Sequence, residues 1–300
     1  MITVKLQDKL CAHEPSFYDS NNQDNIIISR DNIEEGDIVI YTNKNFAQIS
    51  HISSKNIAFI CESYDYHKGY YDWIKLNHEK FDLVLTWNKE LLELNPNKFK
   101  LQLFGTTWIN EKYRKIYIKK KICSIIASNK RVTRGHKLRH IIIDYLIQNN
   151  INTIDLYGGR FNNLAYMTSK PDAHKNVHKS RRRILRKMIR STKINALKDY
   201  MFTICILSSK SDYEFDEKLI DCFLTGTVPI FWGCPSIHKF FNVKGILIFN
   251  TLQECINIIN TLTIQKYTEM LPYIKENFET AKKYTRFKFN EDAIINLVNH

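Results

Sequence analysis

Short apolar runs alternate with stretches of helical period along most of this 300-residue chain. The start, Met1 to Lys9, alternates apolar and polar positions and carries charge, which predicts a first strand rather than a signal peptide. Strands are expected next at Ile26–Ser29, Asp37–Tyr41, Ile57–Cys61 and Phe81–Trp87, with helices around Tyr70–Asn77 and Lys89–Leu94. After Trp108 the chain turns highly charged through Glu111–Lys121, and a second series begins: strand Ile122–Ser128, helix His136–Gln148, strand Ile154–Gly158. It continues with strand Tyr200–Leu207, a helix from Asp216, strands Val228–Trp232 and Gly245–Phe249, and helices after Leu252. Continuous apolar strands between helices imply parallel sheets covered on both faces. The order predicts two α/β domains, 1–116 and 117–270, facing a cleft, with C-terminal helices over 271–300 that can cross back to the first.

The stretch Glu214–Ile237 carries the most local detail. Asp216 can cap a helix whose apolar face is Leu219, Ile220, Cys222 and Phe223, and Gly226 stands where helices stop. Val228–Trp232 is then a buried strand. The helix start presents backbone N–H groups and a positive dipole end, and Lys218 adds a full charge, so an anion can sit there. Ligands of open α/β sheets collect beyond the carboxyl ends of strands, which places the loop 208–215, between Leu207 and Asp216, on the border of the cleft.

Composition narrows the chemistry. No apolar run approaches the ~18 residues that span a bilayer, so a cytoplasmic chain is expected, with at most peripheral contact to a membrane. The seven cysteines are odd in number, widely spaced and form no Cys-x-x-Cys pair, which reads as reduced core thiols. No Asp-x-Asp occurs to hold a divalent cation on a diphosphate, so no metal is expected and cationic side chains must carry any phosphate chemistry. Of the net charge of +13, +10 falls within residues 170–198. There Arg181, Arg182, Arg183, Arg186, Lys187 and Arg190 surround Ile184, Leu185, Met188 and Ile189 at helical spacing. Such a basic amphipathic helix favours a membrane or another anionic surface, although a solvated helix with an ordinary buried stripe has the same pattern. Nucleic acid is disfavoured, because the segment lacks aromatic platforms and any binding motif.

Several ordered words carry a family resemblance. They are Ser124-Ile-Ile-Ala-Ser-Asn-Lys130, Gly135-His-Lys-Leu-Arg139, Asp155-Leu-Tyr-Gly158, Tyr200-Met-Phe-Thr-Ile-Cys-Ile206, Asp216-Glu-Lys-Leu219 and Gly226-Thr-Val-Pro-Ile-Phe-Trp-Gly-Cys-Pro235. Over residues 120–250 the chain resembles the α-1,3/4-fucosyltransferases, the tenth glycosyltransferase family, with its bacterial and viral members. The resemblance implies a GT-B fold: two Rossmann-like domains, an acceptor side first and a nucleotide-sugar side second. It implies inverting transfer of fucose from GDP-fucose, as co-substrate and without metal, onto a glycan or glycolipid hydroxyl. By the same similarity Glu217 binds the ribose, and Lys218 and Arg139 bind the diphosphate. Ser209 and Tyr213 on the cleft loop join that donor set, and Glu62, in a Glu-Ser pair after the Ile57–Cys61 strand, is the base.

Other readings of these residues stay open. An acid at a strand end is also an ordinary turn residue, and Glu217 and Lys218 are ordinary first-turn residues of an exposed helix. His136 reads as structural, and Phe231 and Trp232 as core and pocket wall. Where the family has Glu-Asn after the Ile-Cys-Ile strand, this chain has Leu207-Ser208, and Asp216 replaces a Thr. These departures admit a different nucleotide sugar (a xylose, heptose or other deoxyhexose donor) or a non-catalytic relative that binds glycan or membrane.

Overall fold

A computed structural model describes residues 1–8, 25–158 and 193–299. Two wholly parallel sheets organise the chain. The first contains β1 (Ile2–Gln7), β2 (Ile26–Ser29), β3 (Ile38–Thr42), β4 (Lys55–Phe59), β5 (Leu83–Thr86) and β6 (Phe99–Leu101), in the order β2-β1-β3-β4-β5-β6. The second contains β7 (Lys121–Ile126), β8 (Ile154–Tyr157), β9 (Tyr200–Ile206), β10 (Val228–Trp232) and β11 (Leu247–Ile248), in the order β11-β10-β9-β7-β8. Each parallel pair needs a crossover, and the crossovers cover the faces. Accordingly Ile57 and Phe59 of β4 point into one core, while Ala58 and Ile60 point into another. Every residue of β9 and β10 is buried.

The helices are α1 (Tyr64–Asn77), α2 (Lys89–Leu94), α3 (Arg134–Gln148), α4 (Glu217–Phe223), α5 (Leu252–Asn260), α6 (Ile264–Ala281) and α7 (Glu291–Asn299). From α6, packed in the second core, the chain returns to the first sheet. Phe287 and Phe289 lie 5.5 and 5.4 Å from the Phe59 ring, and Ile294 of α7 is buried in the same core. The Gln102 side chain stitches this return in place, donating to the Lys288 carbonyl at 2.8 Å and accepting from the Asn290 N–H at 2.8 Å.

A second tie joins the halves. Asp221 of α4 is 0% exposed and accepts from the Thr107 hydroxyl and from the Trp108 N–H, both on the connection between the sheets. Lys193 Nζ stands 2.5 Å from its other oxygen, so the buried charge is compensated. The six described cysteines are buried. Among the described residues no helix is long and apolar enough to cross a membrane.

Candidate active site

The site is built on the carboxyl ends of the second sheet, where α3 and α4 begin. Thr133 caps α3: its hydroxyl accepts from the His136 N–H at 3.2 Å, and its own N–H donates to His136 Nδ1 at 3.3 Å. Gly135 N–H donates to the Ser208 carbonyl at 3.0 Å, so the first turn of α3 lies directly on the chain leaving β9. One turn later Arg139 Nε donates to the Ile206 carbonyl at 3.1 Å. Its Nη2 donates to the same carbonyl, and Arg139 lines a cavity of about 300 Å³ shared with Lys193, Glu217 and Lys218 and backed by Ala127, Gly158 and Cys205.

Only glycine fits at 135. A Cβ there would lie 1.8 Å from the Leu207 carbonyl oxygen and 2.9 Å from that of Ser208, both backbone atoms that cannot rotate away. Gly135→Ala, normally favourable in a helix, is therefore expected to destabilise the fold by about 3 kcal/mol and to draw Arg139 off the Ile206 carbonyl. Urea unfolding with a parallel nucleotide titration checks both effects, and an unchanged midpoint would show that α3 moves freely.

At the start of α4, Asp216 Oδ1 accepts from the Lys218 N–H at 2.9 Å, so the cap itself fills the N–H position that the sequence offered to an anion. Lys218 Nζ donates to Asp216 Oδ2 at 2.6 Å and to Glu217 Oε1 at 3.1 Å. Burial alone would raise the Glu217 carboxyl, but Lys218 and Lys193 hold it down at about 2. Burial alone would lower Lys218, and Asp216 and Glu217 raise it above its ordinary value. Both are fully ionised at neutral pH.

A second cavity, of about 400 Å³, lies between the sheets and shares Trp108, Ser128, Arg139, Glu217 and Lys218 with the first. From the first sheet come Glu62, Ser63, Tyr66 and Trp87, and from the second Lys130, His136 and Glu214. Glu62 follows β4 by three residues, and its backbone carbonyl is fixed by the Tyr71 hydroxyl at 2.6 Å. Across the cleft, Arg134 Nε reaches Asp65 on α1 at 2.7 Å. The Trp87 indole N–H is buried with no hydrogen-bond partner among the described residues.

Glu62, Arg139, Glu217 and Lys218 are thus brought to one continuous space, which Trp108 also lines. Ser209 lines neither cavity; its hydroxyl donates to Glu214 Oε2 at 2.6 Å. Tyr213 also lies outside both. It adopts φ +61°, donates its N–H to Ser236 Oγ and stacks edge-on to Phe240. Leu207, at the first departing position, is core: its N–H donates to the Trp232 carbonyl and its side chain fills the space above Gly233. Arg181, Arg182, Arg183, Arg186, Lys187 and Arg190 lie outside the described residues.

Three site residues were not singled out from the sequence: Lys193, Trp108 and Glu214. Lys193 and Trp108 meet Asp221 only through the fold, whereas Glu214, an acid just ahead of a capped helix on the cleft loop, had a readable signal. His136 and His140 do stand at the i, i+4 spacing of a metal pair. However, His136 Nδ1 is taken by the Thr133 N–H and His140 Nε2 by the Lys130 carbonyl at 3.1 Å, and among the described residues no group of three ligands forms. Burial, followed by Arg139, Lys130, Lys218 and His140, lowers His136 to about 4, so it is neutral with its proton on Nε2.

No protein-family profile matches the chain. A curated relative, an α-(1,3)-fucosyltransferase of Helicobacter pylori, is 35% identical over 80 residues, which are 25% of this chain and only 17% of the relative. Among solved structures, an α1,3-fucosyltransferase with GDP superposes with a TM-score of 0.58 at 15% identity, covering 100% of this chain and 90% of that one. The α1,3-fucosyltransferase with GDP-fucose gives 0.54 at 17% identity, over 96% and 93%. HepE of Anabaena with UDP and glucose gives 0.57 at 13% identity, over 87% and 78%. The fold is GT-B, and the chain is similar to the fucosyltransferases of the tenth glycosyltransferase family.

Proposed function

We propose that the protein is an inverting, metal-independent glycosyltransferase that moves fucose from GDP-fucose onto a hydroxyl of a glycan or glycolipid. The observation that carries this reading is one continuous space, with Arg139, Glu217 and Lys218 on the second sheet's side and Glu62 on the first sheet's side. The nucleotide fills the 300 Å³ cavity, with its ribose on Glu217 and its diphosphate on Lys218 and Arg139. The acceptor enters from the first sheet and gives its hydroxyl proton to Glu62. Its oxygen then bonds to the sugar C1 from the face opposite the phosphate, the C1–O bond to phosphate breaks, and GDP leaves with the electron pair. The departing diphosphate gains charge in the transition state, and preorganised cations stabilise it there without a metal. The H. pylori relative's name and the GDP-fucose complex of a structural neighbour support the donor. The basic segment within 170–198 would hold the enzyme against an anionic membrane or glycan.

A second donor class has its own support. HepE, a neighbour of similar superposition, holds UDP and glucose, and Leu207 puts an apolar core residue where the family has a carboxylate. Calorimetric titration with GDP, UDP, CDP and their common sugar conjugates, with and without EDTA, separates the readings. GDP and GDP-fucose are expected to bind equally with and without the chelator. Selective UDP binding would replace the donor, and loss of binding with EDTA would overturn metal independence.

A further inference from the structure

The transfer just described leaves one carboxyl of the cleft without a task. Glu214 lines the space between Glu62 and Lys218. Its Oε2 accepts from Ser209, and among the described residues no cation lies within ion-pair distance of it. The cations closest in influence are committed elsewhere: Arg134 of α3 to Asp65, and Lys218 of α4 to Asp216 and Glu217. Facing it are further acids, Asp65 of α1 and Asp216 of the α4 cap, together with the Tyr71 phenol. Glu62, Lys130 and the neutral His136 close the same cavity. A carboxylate so placed lacks a counter-charge among the described residues, and a nucleoside diphosphate arriving on Lys218 would add two more negative charges beside it.

We propose that Glu214 meets the bound nucleotide sugar as a carboxylic acid, donating a hydrogen bond to the transferred sugar or its phosphate, so that binding takes up one proton from solvent. The inference rests on the nucleotide-sugar reading of the site. Ser209 already serves Oε2, which leaves Oε1 for the proton and the ligand. Burial is the main force raising this carboxyl, to about 7; Ser209 and Lys218 pull the other way, and Asp216 and Asp65 add to the rise. Near pH 7.5 the empty site is therefore mostly ionised, and the incoming diphosphate drives protonation. Affinity falls as pH rises through 7, by about tenfold between pH 6 and pH 8.

The test is calorimetric titration of GDP-fucose, whose phosphates do not titrate near neutrality, at pH 7.5 in two buffers of different ionisation enthalpy. The wild type should take up ~0.7 proton. Glu214→Gln keeps an N–H donor and cannot titrate, so it should bind within a few-fold of the wild type at pH 6, take up no proton and show no pH dependence. Ser209→Ala, which removes the competing donor, should move the uptake to higher pH and serves as the second variant if Glu214→Gln does not fold. Binding without proton uptake in the wild type overturns the proposal while the nucleotide-sugar reading stands. Uptake that survives Glu214→Gln but is lost in His136→Asn assigns the proton to His136 and likewise overturns it. If neither GDP nor GDP-fucose binds the wild type, the premise and the proposal fall together.

Discussion

Lys218→Ala is expected to weaken binding of a nucleoside diphosphate about 100-fold, or ~3 kcal/mol, at the lower end of the roughly 2–5 kcal/mol that truncating one member of a hydrogen-bonded charge pair costs, because the cluster is only partly buried. The loss is larger than that of one cation. Lys218 holds Asp216 Oδ2 and Glu217 Oε1 at 2.6 and 3.1 Å, and without it these two carboxylates would face the incoming phosphates without their shared cation. The same change has a signature in the empty protein. Glu217 titrates at about 2 in the fold against an ordinary value of 4.5, so its contribution to stability is complete above pH 4.5 and is lost as pH falls through 2. Removing Lys218 takes away the first of the two charges that depress it. The melting temperature of the variant should therefore be lower at neutral pH and fall less between pH 4.5 and pH 2 than that of the wild type. A variant with unchanged nucleotide affinity but a flattened acid limb would make Lys218 a clamp on the start of α4 and nothing more.

Legibility in the sequence followed how each element is held. β9 and β10 were readable because both faces are covered, so Tyr200–Ile206 and Val228–Trp232 are almost unbroken apolar runs. β6 was not, since it is three residues long with Lys100 at its centre and exists through its pairing with β5. The first turns of α1 were missed for a different reason. His67 there has φ −145° and ψ 60°, a break that interrupts the helical period between Tyr64 and Gly69. In the site, Arg139, Glu217 and Lys218 sit inside motif words, so their meeting at one cavity follows once those words mark strand ends. Lys193, Trp108 and Asp221 come together over long stretches of chain, and no local pattern encodes that. Tyr213, at φ +61°, donates its N–H to Ser236 and stacks edge-on to Phe240, a backbone direction that no local pattern on the cleft loop encodes.

Glu62→Gln is expected to reduce kcat for transfer about 1,000-fold, within the range for loss of a positioned general base, while nucleotide-sugar affinity stays within a few-fold of the wild type. The separation follows from placement. Glu62 stands on the first sheet's side of the cleft, whereas Arg139, Glu217 and Lys218 belong to the second, so the amide would remove the proposed proton acceptor without touching the proposed nucleotide partners. Gln also preserves the size of the side chain and leaves the backbone carbonyl held by Tyr71 undisturbed. A fall in donor affinity equal to the fall in rate would make Glu62 a donor ligand. An unchanged rate would leave Glu214 as the carboxylate of the shared cavity to test next, and its proton would then have to be lost for transfer. That alternative is distinguishable by pH, because a Glu214 base gains activity as pH rises through about 7, whereas a Glu214 acid loses it. The wild-type pH profile of kcat/KM, taken beside the two Gln variants, therefore assigns the acid and the base of the cleft in one experiment.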